Sequence, residues 1–88
     1  MRITYDPAKN RANIEKHGVS FEEAYGFDFP GAHYEIDGRK DYKEIRRIAT
    51  GFLGDRLHVL CYVETRSGIR AISFRRANLR ERRKYEKR

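Results

Sequence analysis

One stretch limits the possible folds more than any other: LHVLCYVET, residues 57–65. It is the strongest strand pattern in the chain. It is apolar on both faces, and such a strand belongs in the middle of a sheet. A chain of 88 residues builds one small core, so the remaining elements have to arrange themselves around that strand. Residues 1–88 are expected to form a single domain. Five Phe and six Tyr are too many aromatic residues for a disordered chain.

The punctuation on either side divides the chain into helices first and strands after. Asp6-Pro7 caps a helix and places proline at its first position. Gly18 stops that helix, giving helix 7–17, mostly polar, with Ala8, Ala12 and Ile14 as its apolar part. Ser20 and Glu23 form a capping box for a second helix over 21–27, with Val19 and Ala24 as a hydrophobic staple and Phe21, Ala24 and Tyr25 facing inward. Pro30-Gly31 turns the chain. Strands follow at 33–37, 43–53, 57–65 and 69–75, with a two-residue hairpin at Gly54-Asp55 and a turn at Ser67-Gly68. Asn78 caps a last helix, with Glu81 at the capping-box position. That helix has only Leu79 and Tyr85 as large apolar side chains, so it must dock by them or stay mobile. The expected class is α+β, with two N-terminal helices, a four-stranded antiparallel sheet and a C-terminal helix, in the order ααββββα.

Charge is distributed unevenly. Residues 1–65 carry ten Lys/Arg and eleven Asp/Glu, whereas residues 66–88 carry ten Lys/Arg and two Asp/Glu, a local balance of +8. Such asymmetry points to a polyanionic partner, nucleic acid before membrane. The longest apolar run, VLCYV at 59–63, is far short of a membrane span. The N-terminal MRITYDPAKN has no apolar signal core. The single cysteine, Cys61, fits a reducing cytoplasm and a plain buried strand position.

The basic end holds the chemistry. On an unbroken strand, Arg70, Ile72, Phe74 and Arg76 share one face and Ile69, Ala71, Ser73 and Arg75 the other. On the following helix, Glu81, Tyr85 and Arg88 form one stripe, with Arg80, Arg83, Lys84 and Lys87 beside it. Guanidinium groups grip phosphates through forked hydrogen bonds. Metal-free RNA cleavage needs a base for the 2′-hydroxyl, an acid for the leaving 5′-oxygen and cations around phosphorus. Arg70, Arg75 and Arg76 suit the cationic part, Tyr85 suits an acid or a stacking surface, and Glu81 or a histidine suits the base. Each has a structural counterpart: Glu81 as cap and ion-pair partner, Tyr85 as helix anchor, His17 at the negative end of a helix dipole, and His33 and His58 as ordinary strand residues. The three histidines and one cysteine have no metal-ligand spacing, and neither metal nor other cofactor is expected.

Two motifs at opposite ends carry a family likeness. DPAKNRANIEKHGVSFEEA, 6–24, resembles the D-x-x-K…N-x-x-K-H-G-V-x-F-x-x-A opening of the BrnT family of bacterial type II toxins. IRAISFRRANLRERRKYE, 69–86, resembles the family's I-R-x-I-S-x-R-x-A…E-R-x-x-Y ending. The resemblance implies a RelE-like fold and a ribonuclease that arrests growth. It also implies a BrnA-like ribbon-helix-helix antitoxin as partner, with the complex binding operator DNA and repressing its own operon. The motif residues are Lys9, Asn13, Lys16 and His17 at one end and Arg70, Ser73, Arg75, Glu81, Arg82 and Tyr85 at the other. By that likeness the catalytic candidates are Arg70, Arg75, Glu81, Tyr85 and His17, with Arg70, Arg75 and Tyr85 favoured over His17. The RNA-binding candidates are Lys9, Lys16, Arg76, Arg80, Arg82 and Arg83. Phe74 departs from the family pattern, where a small residue is common, and is expected to narrow the face beside Arg76. The rival readings are a non-catalytic nucleic-acid-binding module and an inactive toxin homologue that retains only antitoxin binding.

Overall fold

The computed structural model describes residues 1–39 and 43–88. Its elements are β1 (Arg2–Thr4), α1 (Pro7–His17), a 3-10 helix (Phe21–Gly26), β2 (His33–Ile36), β3 (Arg47–Leu53), β4 (Arg56–Glu64), β5 (Gly68–Arg76) and α2 (Leu79–Glu86). Among the described residues the strands form one five-stranded sheet in the order β1-β5-β4-β3-β2. The α+β class holds, but the sheet is mixed and not a four-stranded antiparallel meander. The extra strand, β1, pairs in parallel with β5, Arg2 opposite Gly68 and Thr4 opposite Arg70. The remaining pairings are antiparallel. β4 lies at the centre, as its two-sided apolar pattern requires.

The helix boundaries follow from local chemistry. The Asp6 carboxylate accepts the Ala8 amide at 2.9 Å, and Gly18 closes α1 in the left-handed region at φ 73°. Ser20 and Glu23 exchange the bonds of a capping box, as do Asn78 and Glu81. The expected second α-helix is instead a 3-10 helix. Phe21, Ala24 and Phe27 are all buried, and their spacing of three matches the tighter period. Tyr25 falls off that stripe and is 56% exposed, although its hydroxyl accepts the Ile3 amide at 3.1 Å. β3 begins at Arg47, not at 43.

The core lies on one face of the sheet, under the 3-10 helix. Ala49, Leu60, Tyr62, Ile69, Ala71 and Phe74 meet Val19, Phe21, Ala24 and Phe27 there. Phe74 is fully buried, its ring 5.9 Å from Phe27 and 5.4 Å from His58. Full burial of such a ring contributes about 1.5–3 kcal/mol. Its place corrects the unbroken-strand pattern. The register slips between Cys61 and Tyr62, which pair with Ser73 and Ala71, leaving Ile72 as the extra residue of a bulge. Beyond the bulge the faces exchange. Phe74 therefore joins Ile69 and Ala71 in the core, while Ser73 and Arg75 join Arg70 on the opposite face. Phe74 narrows no surface beside Arg76.

Asn13 secures the bulged end. β1 covers β5 only as far as Arg70. Farther along, the Asn13 carboxamide accepts the Phe74 amide at 3.1 Å and donates to the Phe74 carbonyl at 2.8 Å and the Val19 carbonyl at 2.8 Å. One buried side chain thus substitutes for a strand edge and ties α1 to the sheet.

α2 lies against β3. Tyr85 anchors it, its ring edge-on to Phe52 at 5.7 Å and its hydroxyl donating to the Gly31 carbonyl at 2.9 Å. Arg88 stacks on the Tyr85 ring at 4.1 Å and donates both to the Tyr85 hydroxyl and to the Gly31 carbonyl. Leu79, expected to share the docking, is 60% exposed. Among the described residues, no helix is long and apolar enough to cross a membrane.

Candidate functional site

Antiparallel register places Ile48 on β3, Val59 and Cys61 on β4, and Ser73 and Arg75 on β5 on the face away from the core. These residues floor an open groove of about 360 Å³. Its walls come from three directions: Lys16 and His17 at the end of α1, Arg39 from the turn after β2, and Glu81 from the first turn of α2. A shallower trench of about 260 Å³ continues past Lys16, His17 and Ser73 along α1 to Lys9. On the other side, a pocket of about 160 Å³ under α2 shares Ile48 and Glu81 with the groove. The three depressions run in series across the basic face.

Glu81 and Arg75 form the strongest contact in the groove. Arg75 Nη1 donates to Glu81 Oε1 at 2.8 Å and Nη2 donates to Oε2 at 2.7 Å. Glu81 Oε1 also takes the Asn78 amide at 2.9 Å as part of the cap. The Arg75 hydrogen bonds hold the Glu81 carboxyl below its ordinary range, and Glu81 raises Arg75 in return. His17 is pushed the other way. Its partial burial, then the charges of Lys16 and Arg75, lower it from its ordinary 6.5, so the imidazole is neutral at pH 7. The Cys61 thiol in the floor is raised, chiefly by burial, and stays protonated.

The structure thus brings His17, Lys16, Arg75 and Glu81 together in one groove. Other candidates lie apart from it. Arg70 is held by Glu44 through bonds of 2.7 and 2.8 Å, and this keeps the Glu44 carboxyl low, with Arg46 and Lys9 adding to the effect. Lys9 lines the trench. Tyr85 and Arg80 line the pocket under α2. Arg76 and Arg82 line a separate cavity of about 150 Å³ with Arg56. Arg83 is exposed on α2. His33 joins Tyr85 around the α2 pocket, and His58 is buried with Nδ1 2.9 Å from the Arg56 carbonyl.

Sequence reasoning missed Arg39, Ile48 and Thr50. Arg39 was signalled by Asp37-Gly38, since the Asp37 carboxylate accepts both the Arg39 amide and its guanidinium. Ile48, which lines the groove and the pocket under α2, and Thr50, which lines that pocket, carry no local signal, since their placement depends on the strand register. Among the described residues, no group of three or more His, Cys, Asp or Glu is placed to hold a metal.

Comparison with known proteins agrees with this architecture. The crystal structure of the ribonuclease toxin BrnT from Brucella abortus is similar to this chain at 28% identity and a TM-score of 0.68, covering 89% of this chain and 97% of its own. Among curated proteins, no sequence matches. The family model for the ribonuclease toxin BrnT of type II toxin–antitoxin systems matches residues 5–81, and the chain belongs to that family.

Proposed function

We propose that the groove between α1, β5 and α2 is the RNA-cleaving site of a metal-independent endoribonuclease. The observation that carries this is the placement of a neutral imidazole, His17, beside the Arg75 guanidinium in an open groove with the Lys16 ammonium at its wall. His17 takes the proton of a ribose 2′-hydroxyl. The freed oxygen bonds to its own phosphorus, and the bond to the 5′-oxygen of the next nucleotide breaks with that oxygen protonated from solvent. The products are a 2′,3′-cyclic phosphate and a 5′-hydroxyl. Arg75 and Lys16 stabilise the charge that builds on the phosphoryl oxygens. Glu81 holds the Arg75 fork in position.

Tyr85 serves as anchor and pocket wall in this reading. Its hydroxyl already donates to Gly31 and accepts from Arg88, so acting as an acid would break the dock of α2. Arg70 and Lys9 lie along the path of the RNA strand entering from the trench. Arg76, Arg80, Arg82 and Arg83 supply phosphate contacts farther out.

The family's toxin–antitoxin character implies an antitoxin that silences the enzyme. An acidic segment of a BrnA-like ribbon-helix-helix protein, laid over the groove, would do so by charge complementarity. Such a complex would bind operator DNA through the antitoxin, in the cytoplasm.

The test is cleavage of end-labelled single-stranded RNA in EDTA by the wild type and by the His17→Ala and Arg75→Ala variants. Cleavage by the wild type to cyclic phosphate ends, with each variant slower by about 10²-fold or more, is expected. Salt-sensitive binding without cleavage, with ribosomes absent and present, would instead identify a non-catalytic binding module.

A further inference from the structure

Beside the groove lies the pocket between α2 and the face of β3, and the ribonuclease reading gives it no role beyond a Tyr85 wall and an outlying arginine. Its volume is about 160 Å³. An apolar cavity of about 150 Å³ accommodates one benzene-sized ring. The side of Ile48 and the ring of Tyr85 supply apolar walls. Thr50 also lines the pocket. It is 9% exposed, and its hydroxyl has no hydrogen-bond partner among the described residues. That hydroxyl is not sealed from the pocket, so it is free to bond a ligand or water there. Charged groups stand on the same wall, with Lys84 donating to Glu35 at 2.5 Å and His33 3.6 Å from the same carboxylate.

The pocket adjoins the groove, since Ile48 and Glu81 line both. A ribose whose phosphate rests on Arg75 can place its base past Ile48 toward Thr50. We infer that this pocket takes one pyrimidine base of the RNA, next to the bond that is cut. The single ring fills the space between Ile48 and Tyr85, and its polar edge meets the Thr50 hydroxyl, which both donates and accepts. The fused second ring of a purine fills that space less well and extends toward its open side. The inference rests on the ribonuclease reading for its setting, but base recognition is measurable without cleavage.

Two measurements test it. The first uses DNA oligonucleotides carrying a single ribonucleotide, so that 2′-hydroxyl attack occurs at one bond only, with each of the four bases placed in turn on either side of that bond. The wild type is expected to favour pyrimidines over purines by about 10-fold or more at one of the two positions. The Thr50→Val variant, of the same shape without the hydroxyl, is expected to lose most of that preference. Equal cleavage of all four bases, a purine preference, or an unchanged preference in a folded Thr50→Val protein would each overturn the inference.

The second measurement records the methyl signals of Ile48 and Thr50 in the wild-type protein during titration with cytidine 3′-monophosphate and with adenosine 3′-monophosphate. Selective, saturable shifts with the cytidine compound are expected. Equal shifts with both, or none with either, overturn the inference. This arm stands even if no RNA is cut. Cleavage failing while cytidine binds rejects the ribonuclease mechanism alone, and cleavage without base preference rejects the pocket alone.

Discussion

Glu81 closes both of its carboxylate oxygens on the Arg75 guanidinium while the same side chain caps the helix it belongs to. One carboxylate therefore fixes the groove's principal cation relative to α2. Its side chain is 26% exposed and that of Arg75 34%, so solvent screens the pair and its contribution is about 1 kcal/mol. The Glu81 carboxyl is lowered on folding from its ordinary 4.5. Its stabilisation is thus complete above about pH 4.5 and fades as pH falls through the lower folded value. Glu81→Gln keeps the cap but removes the charge. Urea unfolding is expected to show the variant about 1 kcal/mol less stable than wild type at pH 7, the gap closing as pH falls through the lowered value of the folded carboxyl. A gap that stays constant with pH would show that the charge is not what stabilises.

His17 gives the activity its own pH dependence. Burial and two neighbouring cations lower its titration below 6.5, so the base form predominates at neutral pH. Wild-type kcat/KM is expected to be flat near pH 7 and to fall as pH drops through that lowered value. His17→Gln should lose about 10²- to 10⁴-fold in rate and also lose the acidic limb. A variant that keeps the limb would place the titrating base elsewhere.

The parts of the fold decided within a few residues were legible in the sequence. The caps at Asp6, Ser20 and Asn78 each use a partner two or three positions on, so the motif and its geometry coincide. β1 was not legible, because three residues carry no periodicity and their partner is at Gly68. The bulge at Ile72 was hidden for a related reason: Ile72 looks like any other strand residue, and only the register with Cys61 and Tyr62 shows it as the extra one. That single slip moved Phe74 into the core and Arg75 onto the groove face. At the site, charge and motif pointed to His17, Arg75 and Glu81 one by one, whereas the groove they share depends on which strand lies next to which. Thr50 and Ile48, uncharged and in mid-strand, became visible only when α2 was seen to cover them.

Asn13 is the most consequential buried polar side chain in that arrangement. It is 7% exposed and makes three hydrogen bonds, two to Phe74 and one to Val19. Asn13→Ala leaves one amide and two carbonyls without partners, and is expected to cost about 2–4 kcal/mol. In a domain of this size that lowers Tm by roughly 10–20 °C. Asn13→Asp accepts from the Phe74 amide but cannot donate to either carbonyl, so it should be no more stable than the alanine variant at neutral pH. Thermal unfolding of the three proteins is the check. An aspartate variant close to wild type would mean that the Phe74 amide alone carries the link.

Gly68 tests the strand that the sequence concealed. A Cβ at this position would meet the backbone of Arg2, its paired residue on β1. The obstacle is backbone and cannot rotate away, so Gly68→Ala has to push β1 off β5 or bend both strands, at a cost of about 1–3 kcal/mol. The Arg2 amide, which donates to the Ser67 carbonyl at 2.9 Å, should lose its protection first. Hydrogen exchange is expected to show fast exchange at Arg2 through Thr4 in the variant, with β4 still protected. The Ile3 amide is included, because its bond to the Tyr25 hydroxyl depends on the same docking. Unchanged protection of β1 in a Gly68→Ala protein as stable as wild type would count against the parallel pairing itself.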